Sequence, residues 1–329
     1  MTDPRYDAVG MGNAIVDVLT HTDDAFLEQH NLDKGMMTLI DEEQAVFLYG
    51  EMAGAEERSG GSAANTMAGL ASLGGTCAYI GKVRNDHLGG AFARDLESCG
   101  VDFTSTRATE GPPTGRCYVL VTPDAQRTMQ TFLGVSVDLG PDDVDTEQIE
   151  GSRVTYLEGY LYDKPAAKQA FAIACVMAHA ADRKVALSLS DPFCVDRHRE
   201  DFQNLISQHV DLLFGNEDEM RSLYEVDSLL AAVARLQGEV ELAAVTRGAK
   251  GSMLVTRDQT VQVAAEPVER VVDTTGAGDL FAAGMLYGYT HGLDLESMGR
   301  ISSLAASEII SHLGARPETD LSQLVAERL

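Results

Sequence analysis

The feature that most restricts the fold of this chain is a regular alternation of strand and helix patterns after residue 153. The strand patterns are continuous apolar stretches, VTYLEG, KVALSLS, VDLLFG and ELAAVTRG, and helical patterns separate them. Parallel strands need a crossover, usually a helix, and are buried on both faces. This part of the chain therefore predicts an α/β fold with a mainly parallel central sheet that helices cover on both sides.

Two segments do not follow this alternation. Residues 14–58 mix a strand pattern with a helix pattern, and residues 111–137 hold two alternating runs separated by DAQ, which predicts a hairpin. We expect both segments to form a small β lid over one edge of the sheet. The predicted main domain then comprises residues 1–13, 59–110 and 138–329.

The composition excludes several classes of function. The 329 residues are 44% apolar, which is enough for a sizeable core, and the net charge is −26, from 51 acidic and 25 basic residues. Such a charge repels nucleic acids and anionic membranes. No apolar run approaches the roughly 18 residues that a membrane helix needs, and the amino terminus does not resemble a signal peptide. We therefore expect a cytoplasmic protein.

Cysteine and histidine patterns do not predict a metal centre or a disulfide framework. The five cysteines are odd in number and show no CxxC spacing. The eight histidines form no HExxH motif, and no GxSxG element is present. Buried thiols in a reducing compartment fit this usage better.

Ligands of open α/β sheets bind beyond the carboxyl ends of the strands, so the loops after strands are the first places to search. In GMGNAIVD, residues 10–17, Ile15 occupies the third glycine position of a dinucleotide fingerprint, which excludes that motif. Asn13 and Asp17 remain as polar groups near a strand end. They could bind a ligand, or serve only as a turn residue and a cap.

Two further loops are rich in glycine. In SGGSAAN, residues 59–65, Gly60 and Gly61 would let the backbone approach a ligand closely and Ser62 could cap the next helix, although a plain strand-to-helix turn explains them too. VTRGAKGS, residues 245–252, lacks the GxxxxGK[ST] spacing of a phosphate loop, and a β-turn is an equal explanation.

The stretch DTTGAGD, residues 273–279, carries the strongest chemical signal, because an apolar helix pattern follows it. The free N–H groups and the dipole of a helix start attract an anion, and glycines keep side chains out of the way. A carboxylate beside a bound anion is unfavourable unless it takes a proton from a hydroxyl that attacks the anion. Asp279 is thus a candidate general base, although it could merely complement the helix dipole. Asp273 is expected to order the loop.

These motifs resemble those of the ribokinase-like (PfkB) family of carbohydrate and nucleoside kinases over essentially the whole chain. DTTGAGDLFAAGML fits the carboxyl-terminal signature, and GGSAAN fits the amino-terminal one, with Met67 where a small residue is usual and Arg84 where glycine is usual. The resemblance implies a ribokinase-like three-layer αβα domain with a small β lid. Within the family, GMGNAIVD, LSLSDPF, VDLLFGNEDE and DTTGAGD are most similar to adenosine kinases.

The resemblance also implies a reaction. It is the phosphorylation of the 5′-hydroxyl of adenosine by ATP with Mg²⁺, giving AMP and ADP. The alternatives are a sugar kinase with a ribose- or fructose-type acceptor, or a regulator that binds a nucleoside or sugar without catalysis. The implied partners are ATP and the small acceptor molecule, and the protein would be a monomer or a homodimer that associates through the lid.

The resemblance assigns the phosphate-transfer roles as follows. Asp279 is the base, the N–H groups of Gly276, Ala277 and Gly278 form the anion hole, and Arg127 of the lid reaches the phosphates. On the donor side, Asn216 and Glu219 match an NxxE motif that supports Mg²⁺ through water. The residues implied to face ATP are Asn216, Thr246, Gly248 and Gly251.

On the acceptor side the resemblance implies a polar end and an apolar end. Asp17 would accept hydrogen bonds from the ribose hydroxyls. The residues implied to bind the ribose are Asn13, Asp17, Gly60, Gly61 and Asn65. The apolar slot around a purine is assigned to Ile15, Met129 and Tyr160, each of which could equally be an ordinary core residue.

Overall fold

The computed structural model describes residues 3–52, 55–124 and 126–329. The strands in these residues are β1 (Tyr6–Met11), β2 (Ile15–His21), β3 (Met37–Leu39), β4 (Glu56–Gly60), β5 (Cys77–Ile80), β6 (Val101–Asp102), β7 (Gly115–Val121), β8 (Arg127–Phe132), β9 (Ser152–Glu158), β10 (Lys184–Ser188), β11 (Leu212–Asn216), β12 (Leu242–Thr246), β13 (Ser252–Val255) and β14 (Thr260–Val263). The α-helices are α1 (Asp24–Gln29), α2 (Glu42–Glu51), α3 (Ser62–Ser72), α4 (His87–Ser98), α5 (Thr146–Glu150), α6 (Pro165–Ala180), α7 (Pro192–His209), α8 (Glu217–Tyr224), α9 (Leu229–Leu236), α10 (Ala277–Thr290), α11 (Leu295–Ile309) and α12 (Leu321–Arg328).

The larger sheet has the strand order β14-β13-β12-β11-β10-β9-β1-β5-β6. All its neighbouring pairs from β12 to β6 are parallel, and β13 and β14 add an antiparallel edge hairpin. Successive residues of β1 enter different cores, since Ala8 packs with the cluster that includes α3, α10 and α11, and Val9 packs with the cluster that includes α6, α7 and α9. The predicted three-layer α/β class with a mainly parallel sheet is therefore confirmed.

The second sheet has the order β3-β8-β7-β2-β4. The predicted hairpin is confirmed, because β7 pairs antiparallel with β8 in this sheet. The strands of the second sheet lie in the two segments expected to form the lid, except that β4 continues to Gly60, two residues beyond the expected boundary at residue 58. That this sheet moves as a lid stays a prediction.

Strand β2 corrects the interpretation of GMGNAIVD as a loop at a strand end. The chain leaves β1 at Met11, crosses between the sheets at residues 12–14 and begins a new strand at Ile15. Asp17 thus lies inside a strand of the second sheet, and only Asn13 lies in the crossover. Val16 and Val18 of this strand are buried, whereas Asp17 and Leu19 are partly exposed, which is the pattern of a half-buried strand.

The starts of helices α3 and α10 differ from those of most other helices. Aspartate side chains cap the backbone at the starts of many helices, and these caps are Asp23, Asp41, Asp86, Asp145, Asp191, Asp294 and Asp320. The N-cap residues of α3 and α10 are instead Gly61 and Gly276, which have no side chain with which to cap the helix. The first N–H groups of these helices can therefore bind other groups, and at α3 the Ala63 N–H already donates to Glu158.

In the described residues, no helix combines the length and the apolar character that crossing a bilayer requires.

Candidate active site

A cavity of about 730 Å³ lies between the two sheets, at the carboxyl ends of the parallel strands. Glu158 ends β9, Asn216 ends β11 and Thr246 ends β12, and all three line the cavity. The second sheet contributes Asp17 and Met129 from the opposite side. The cavity is thus where the topology of an open α/β sheet places a ligand.

The structure brings most of the predicted site residues to this cavity. Those that line it are Asn13, Ile15, Asp17, Gly61, Asn65, Met129, Tyr160, Asn216, Glu219, Thr246, Gly276, Gly278 and Asp279. Those that do not line it are Gly60, Ala277, Arg127, Gly248 and Gly251.

Asp279 lies in the first turn of α10, where two side chains from α3 hold its carboxylate. Ser62 donates from Oγ to Oδ1 at 2.7 Å, and Asn65 donates from Nδ2 to Oδ2 at 3.0 Å. Burial raises the pKa of Asp279, while the hydrogen bonds from Ser62 and Asn65 and the charge of Arg316 lower it. A carboxylate with a raised pKa is a stronger base, and this one keeps a fixed orientation.

The position of Ser62 corrects a sequence prediction. Ser62 was expected to cap α3, but the N-cap is Gly61, and the Ser62 hydroxyl points to Asp279 instead. A contact between residues 217 positions apart has no signal in the local sequence, whereas a serine before a helix has a strong one.

The start of α10 is open on one side. Gly276 has φ +80°, and a Cβ built at Gly278 would meet no heavy atom within 4 Å. The Ala277 N–H already donates to the Thr274 carbonyl at 3.2 Å. Gly278 is therefore the member of the predicted anion hole whose surroundings are free, while Ala277 would have to share or exchange its hydrogen bond.

Arg127 is bound to the loop before α10 rather than directed into the cavity. Its Nη1 donates to the Asp273 carboxylate and, at 2.9 Å, to Thr275 Oγ1. Asp273 also accepts from the N–H groups of Thr275 and Gly314, both at 3.0 Å. These contacts are the loop-ordering role predicted for Asp273, and they join the second sheet to the start of α10.

Glu158 is a buried site residue that the sequence reasoning missed. It accepts hydrogen bonds from the backbone N–H of Asn13 at 3.1 Å, from Asn13 Nδ2 at 2.9 Å and from the Ala63 N–H at 2.8 Å. Burial raises the pKa of Glu158 to about 7 although these hydrogen bonds oppose the shift. Its place at the end of VTYLEG, at the carboxyl edge of the sheet, was the signal that could have identified it.

Asp17 faces the cavity from β2. Burial raises its pKa to about 6, against the lowering effects of Arg127 and then Arg316. Gly60 does not line the cavity but makes room for Asp17, because a Cβ at this position would lie 2.5 Å from Asp17 Oδ2. Gly61 has φ +94°, and its Cβ would overlap the carbonyl oxygen of Asn13.

Part of the cavity wall that the second sheet forms is apolar. Ile15, Cys117, Met129 and Leu133 belong to one small cluster of the second sheet, and all four line the cavity. Tyr160 borders the same space and is tied to Ser190, to whose Oγ its backbone N–H donates at 3.0 Å.

A second cavity of about 370 Å³ adjoins the first through Asn216 and Thr246, which line both. Gly248 lines this second cavity, as do the cationic side chains Arg221, Arg247 and Lys250. Gly251 lines neither of these cavities; it has φ +82°, and a Cβ there would overlap the backbone at Val263. Its evident role is to form the turn before β13.

Asn216 and Glu219 form the capping box of α8. Asn216 Oδ1 accepts from the backbone N–H groups of Asp218 and Glu219 at 2.9 Å each, and the Glu219 carboxylate accepts from the Asn216 N–H at 2.9 Å and from its Nδ2. Burial raises the pKa of Glu219 to about 7. Among the described residues there is no group of three or more histidine, cysteine or acidic side chains that could hold a metal ion directly.

The two departures from the amino-terminal signature lie outside the main cavity. Met67 is fully buried in the core, beside Gly10, and Arg84 donates from Nη1 to the Gly111 carbonyl. Neither side chain lines the cavity.

Comparison with known proteins identifies relatives along the whole chain. The sequence profile of a family described as pfkB family carbohydrate kinase matches residues 35–321. The structure is similar to that of adenosine kinase from Sinorhizobium meliloti, with TM-score 0.90, 45% identity and coverage of 99% of this chain and 100% of that one. It is also similar to a probable sugar kinase from Rhizobium etli CFN 42, with TM-score 0.90, 43% identity and coverage of 98% of both chains.

A curated relative adds a third likeness. An uncharacterized sugar kinase of Archaeoglobus fulgidus is 29% identical over 251 residues, which cover 75% of this chain and 96% of the relative. The two solved structures confirm the predicted ribokinase-like fold, while the names of the three relatives are divided between nucleoside and sugar acceptors.

Proposed function

Because this chain belongs to the pfkB family of carbohydrate kinases, we propose that it transfers the γ-phosphoryl group of ATP to the 5′-hydroxyl of adenosine. Family membership makes the chain a phosphotransferase with an alcohol group as acceptor and implies ATP as a substrate. The proposal concerns the acceptor and the residues that act on it.

The observation that carries the proposal is the position of Asp279 at an uncapped helix start. Its carboxylate faces the cavity and is oriented by Ser62 and Asn65, beside the open N–H groups around Gly278. Asp279 would accept the hydroxyl proton while the hydroxyl oxygen forms a bond to the γ-phosphorus and the bond to the β-phosphate oxygen breaks. The products are AMP and ADP, and the helix start stabilises the charge on the transferred group.

The shape of the acceptor side favours a nucleoside. Asn13, Asp17 and Asn65 supply polar groups near Asp279, and Asp17 would accept hydrogen bonds from the ribose hydroxyls. The wall with Ile15 and Met129 is apolar, as a flat purine requires. A volume of about 730 Å³ lies within the usual range for a small-molecule site, about 300–1,000 Å³. The likeness to the Sinorhizobium adenosine kinase supports the same acceptor.

The donor side would lie in the adjoining cavity, where Thr246 and Gly248 face the nucleotide and Lys250 adds positive charge. Glu219 fits an indirect role toward Mg²⁺, because Asn216 already donates to its carboxylate and water would have to link it to the ion. When bound, Mg²⁺ would neutralise the charge of the phosphates. A protein with a large negative net charge needs such positive charge close to the phosphates. The donors that bind Glu219 also keep it in place for this role.

Arg127 would contribute only after a rearrangement. It is bound to Asp273 and Thr275, so reaching the phosphates requires the exchange of these partners for phosphate oxygens. We propose that the second sheet acts as a lid and that this exchange accompanies closure over the substrates, which excludes water from the reaction.

The experiment is an assay of ADP release from ATP and Mg²⁺ with a panel of nucleosides and sugars. We expect the highest kcat/KM with adenosine. Turnover of ribose or fructose without turnover of adenosine would replace the proposal with the sugar-kinase alternative. Tight adenosine binding in calorimetry without ADP release from any acceptor would favour a regulator that lacks catalysis.

A further inference from the structure

We propose that Arg316 is a positioning residue that fixes the diglycine loop before α3 and places a buried positive charge behind the site. This inference rests on the proposed function, since it concerns how Asp279 becomes competent as a base. Arg316 lies in the loop after α11, does not line the main cavity and belongs to none of the motifs that the sequence singled out.

The guanidinium group of Arg316 binds both ends of the diglycine loop. Nη1 donates to the Ala64 carbonyl at 2.7 Å, and Nη2 donates to the Ser59 carbonyl at 2.9 Å and to Ser59 Oγ at 2.7 Å. Ser59 precedes Gly60 and Gly61, and Ala64 follows Ser62, so one planar group joins the two flanks of the loop. Arginine suits this task because its donors have a fixed fork geometry.

The two residues before Arg316 contact the start of α10. The Gly314 N–H donates to Asp273 Oδ2 at 3.0 Å, and a Cβ at Gly276 would lie 3.0 Å from the Cβ of Ala315. Residues 314–316 therefore contact the starts of both α10 and α3. The consequence is that they set the relative position of two helix starts whose side chains meet at Asp279.

The charge of Arg316 is unusual because it is deeply buried. Arg316 is only 9% exposed, and its Nε has no hydrogen-bond partner among the residues that the structure describes. Burying a charge and leaving a buried donor unpaired both cost free energy, so a purely structural tether would be better served by a neutral group. Burial lowers the pKa of Arg316, and the acidic groups that oppose this include Asp95, which accepts from the Ser59 N–H at 2.7 Å, as well as Asp17 and Asp279.

The charged groups that face Asp279 come from three elements besides its own helix. Arg316 lowers the pKa of Asp279, whereas burial raises it. The other two groups are acidic: burial raises the pKa of Asp17 on β2 and of Glu158 on β9, and the charge of Asp279 adds to both shifts. The remaining titratable neighbours are the phenols of Tyr156 and Tyr160, whose pKa values are also raised. Arg316 also lowers the pKa of Asp17, so it opposes the mutual repulsion of the two aspartates.

Two substitutions separate the charge of Arg316 from its hydrogen bonds. Arg316→Gln removes the charge and keeps a donor for the carbonyls, while Arg316→Lys keeps the charge and loses the fork. Ser59→Ala is the matched control, because it removes the hydrogen bonds of Ser59 Oγ to Arg316 and Asp95 and leaves the charge of Arg316 in place. Arg316→Met replaces Arg316→Gln if that variant does not fold.

The measurement is the ionisation of Asp279 by NMR of carboxyl-¹³C aspartate, with its signal identified by its loss in Asp279→Asn. We expect the midpoint to rise by about 1 pH unit in Arg316→Gln and to stay near the wild-type value in Arg316→Lys and Ser59→Ala. The acid limb of the kcat profile should shift by the same amount in Arg316→Gln. In Arg316→Lys the KM for adenosine should rise about tenfold, because the loop loses its tether.

Three results would overturn the proposal. One is an unchanged Asp279 midpoint in a folded neutral variant, and another is an Arg316→Lys midpoint shifted by a full unit although the charge remains. The third is a wild-type KM in Arg316→Lys. Because the NMR titration needs no substrate, it still tests the charge if the chain phosphorylates none of the acceptors, in which case only the proposed function fails.

Discussion

Two glycine-bearing helix starts, those of α3 and α10, meet at the centre of the cavity and use glycine for different reasons. Around α3 the glycines are crowded: Gly60 leaves room for Asp17, and Gly61 lies against the backbone of Asn13. At the start of α10 Gly276 lies against Ala315, but none of the described residues would meet a Cβ at Gly278. The loop before α3 packs closely against other parts of the protein, whereas the loop before α10 leaves space for a ligand at Gly278.

The two starts also present opposite chemistry. The start of α3 offers donors, the hydroxyl of Ser62 and the amide of Asn65, and the start of α10 offers the acceptor Asp279. The helices can approach this closely because Gly69 of α3 faces Leu280 and Ala283 of α10. We therefore expect the loop before α3 to orient Asp279 and the loop before α10 to bind the reacting group. The following predictions test this difference.

The largest effect is expected from Asp279→Asn. The asparagine side chain has nearly the same shape but cannot take the hydroxyl proton, so kcat should fall about 10²–10⁴-fold while adenosine and ATP still bind. Steady-state kinetics and calorimetry would measure this. The matched control is Asp294→Asn at the start of α11, where asparagine is an equally good cap and activity should be unchanged. Near-normal kcat in Asp279→Asn would contradict the assignment of the base.

The next prediction compares two substitutions, Gly278→Ala in the loop before α10 and Gly61→Ala in the loop before α3. Gly278→Ala should leave the free energy of unfolding within about 1 kcal/mol of wild type, because a helix position gains a methyl group in open space. Its kcat/KM should nonetheless fall tenfold or more, because the methyl group would enter the space that the transferred group needs, although the Gly278 N–H itself remains.

Gly61→Ala should show the opposite behaviour. Its positive φ and the overlap with the Asn13 carbonyl should lower the free energy of unfolding by about 1–3 kcal/mol. Urea unfolding and kinetics of both variants would decide the matter. Full activity in Gly278→Ala, or wild-type stability in Gly61→Ala, would remove the distinction between the two loops.

The smallest effect concerns pH and the acceptor. The pKa of Asp17 is raised to about 6, so below pH 6 the carboxyl must lose a proton before it can accept from the ribose hydroxyls. The apparent affinity for adenosine should therefore weaken up to about tenfold per pH unit below 6 and be constant above about pH 7. Asp17→Asn should bind adenosine more weakly at every pH and lose this dependence. Calorimetry with both proteins from pH 5 to pH 8 is the measurement, and equal slopes would contradict the role of Asp17.

Local patterns predicted the parts of the protein that depend on neighbouring residues. The alternation of apolar strands with helices predicted the parallel sheet, and two alternating runs predicted the β7–β8 hairpin. Asp279 was identified because a glycine-rich turn before an apolar helix pattern is a local signal. The same reasoning overlooked β2, since the GMGN motif before it was interpreted as part of a ligand loop.

The contacts that make the cavity a site join residues far apart in the chain, and no local pattern records them. Glu158 meets Asn13 across 145 positions, Arg127 meets Asp273 across 146, and Arg316 meets Ala64 across 252. The sequence by itself determined most of the elements and the glycine-rich helix start that carries Asp279, because hydrophobic period and glycine placement act over a few residues. Only the tertiary structure decided which side chains orient Asp279, since packing brings distant donors and charges together after the elements have formed.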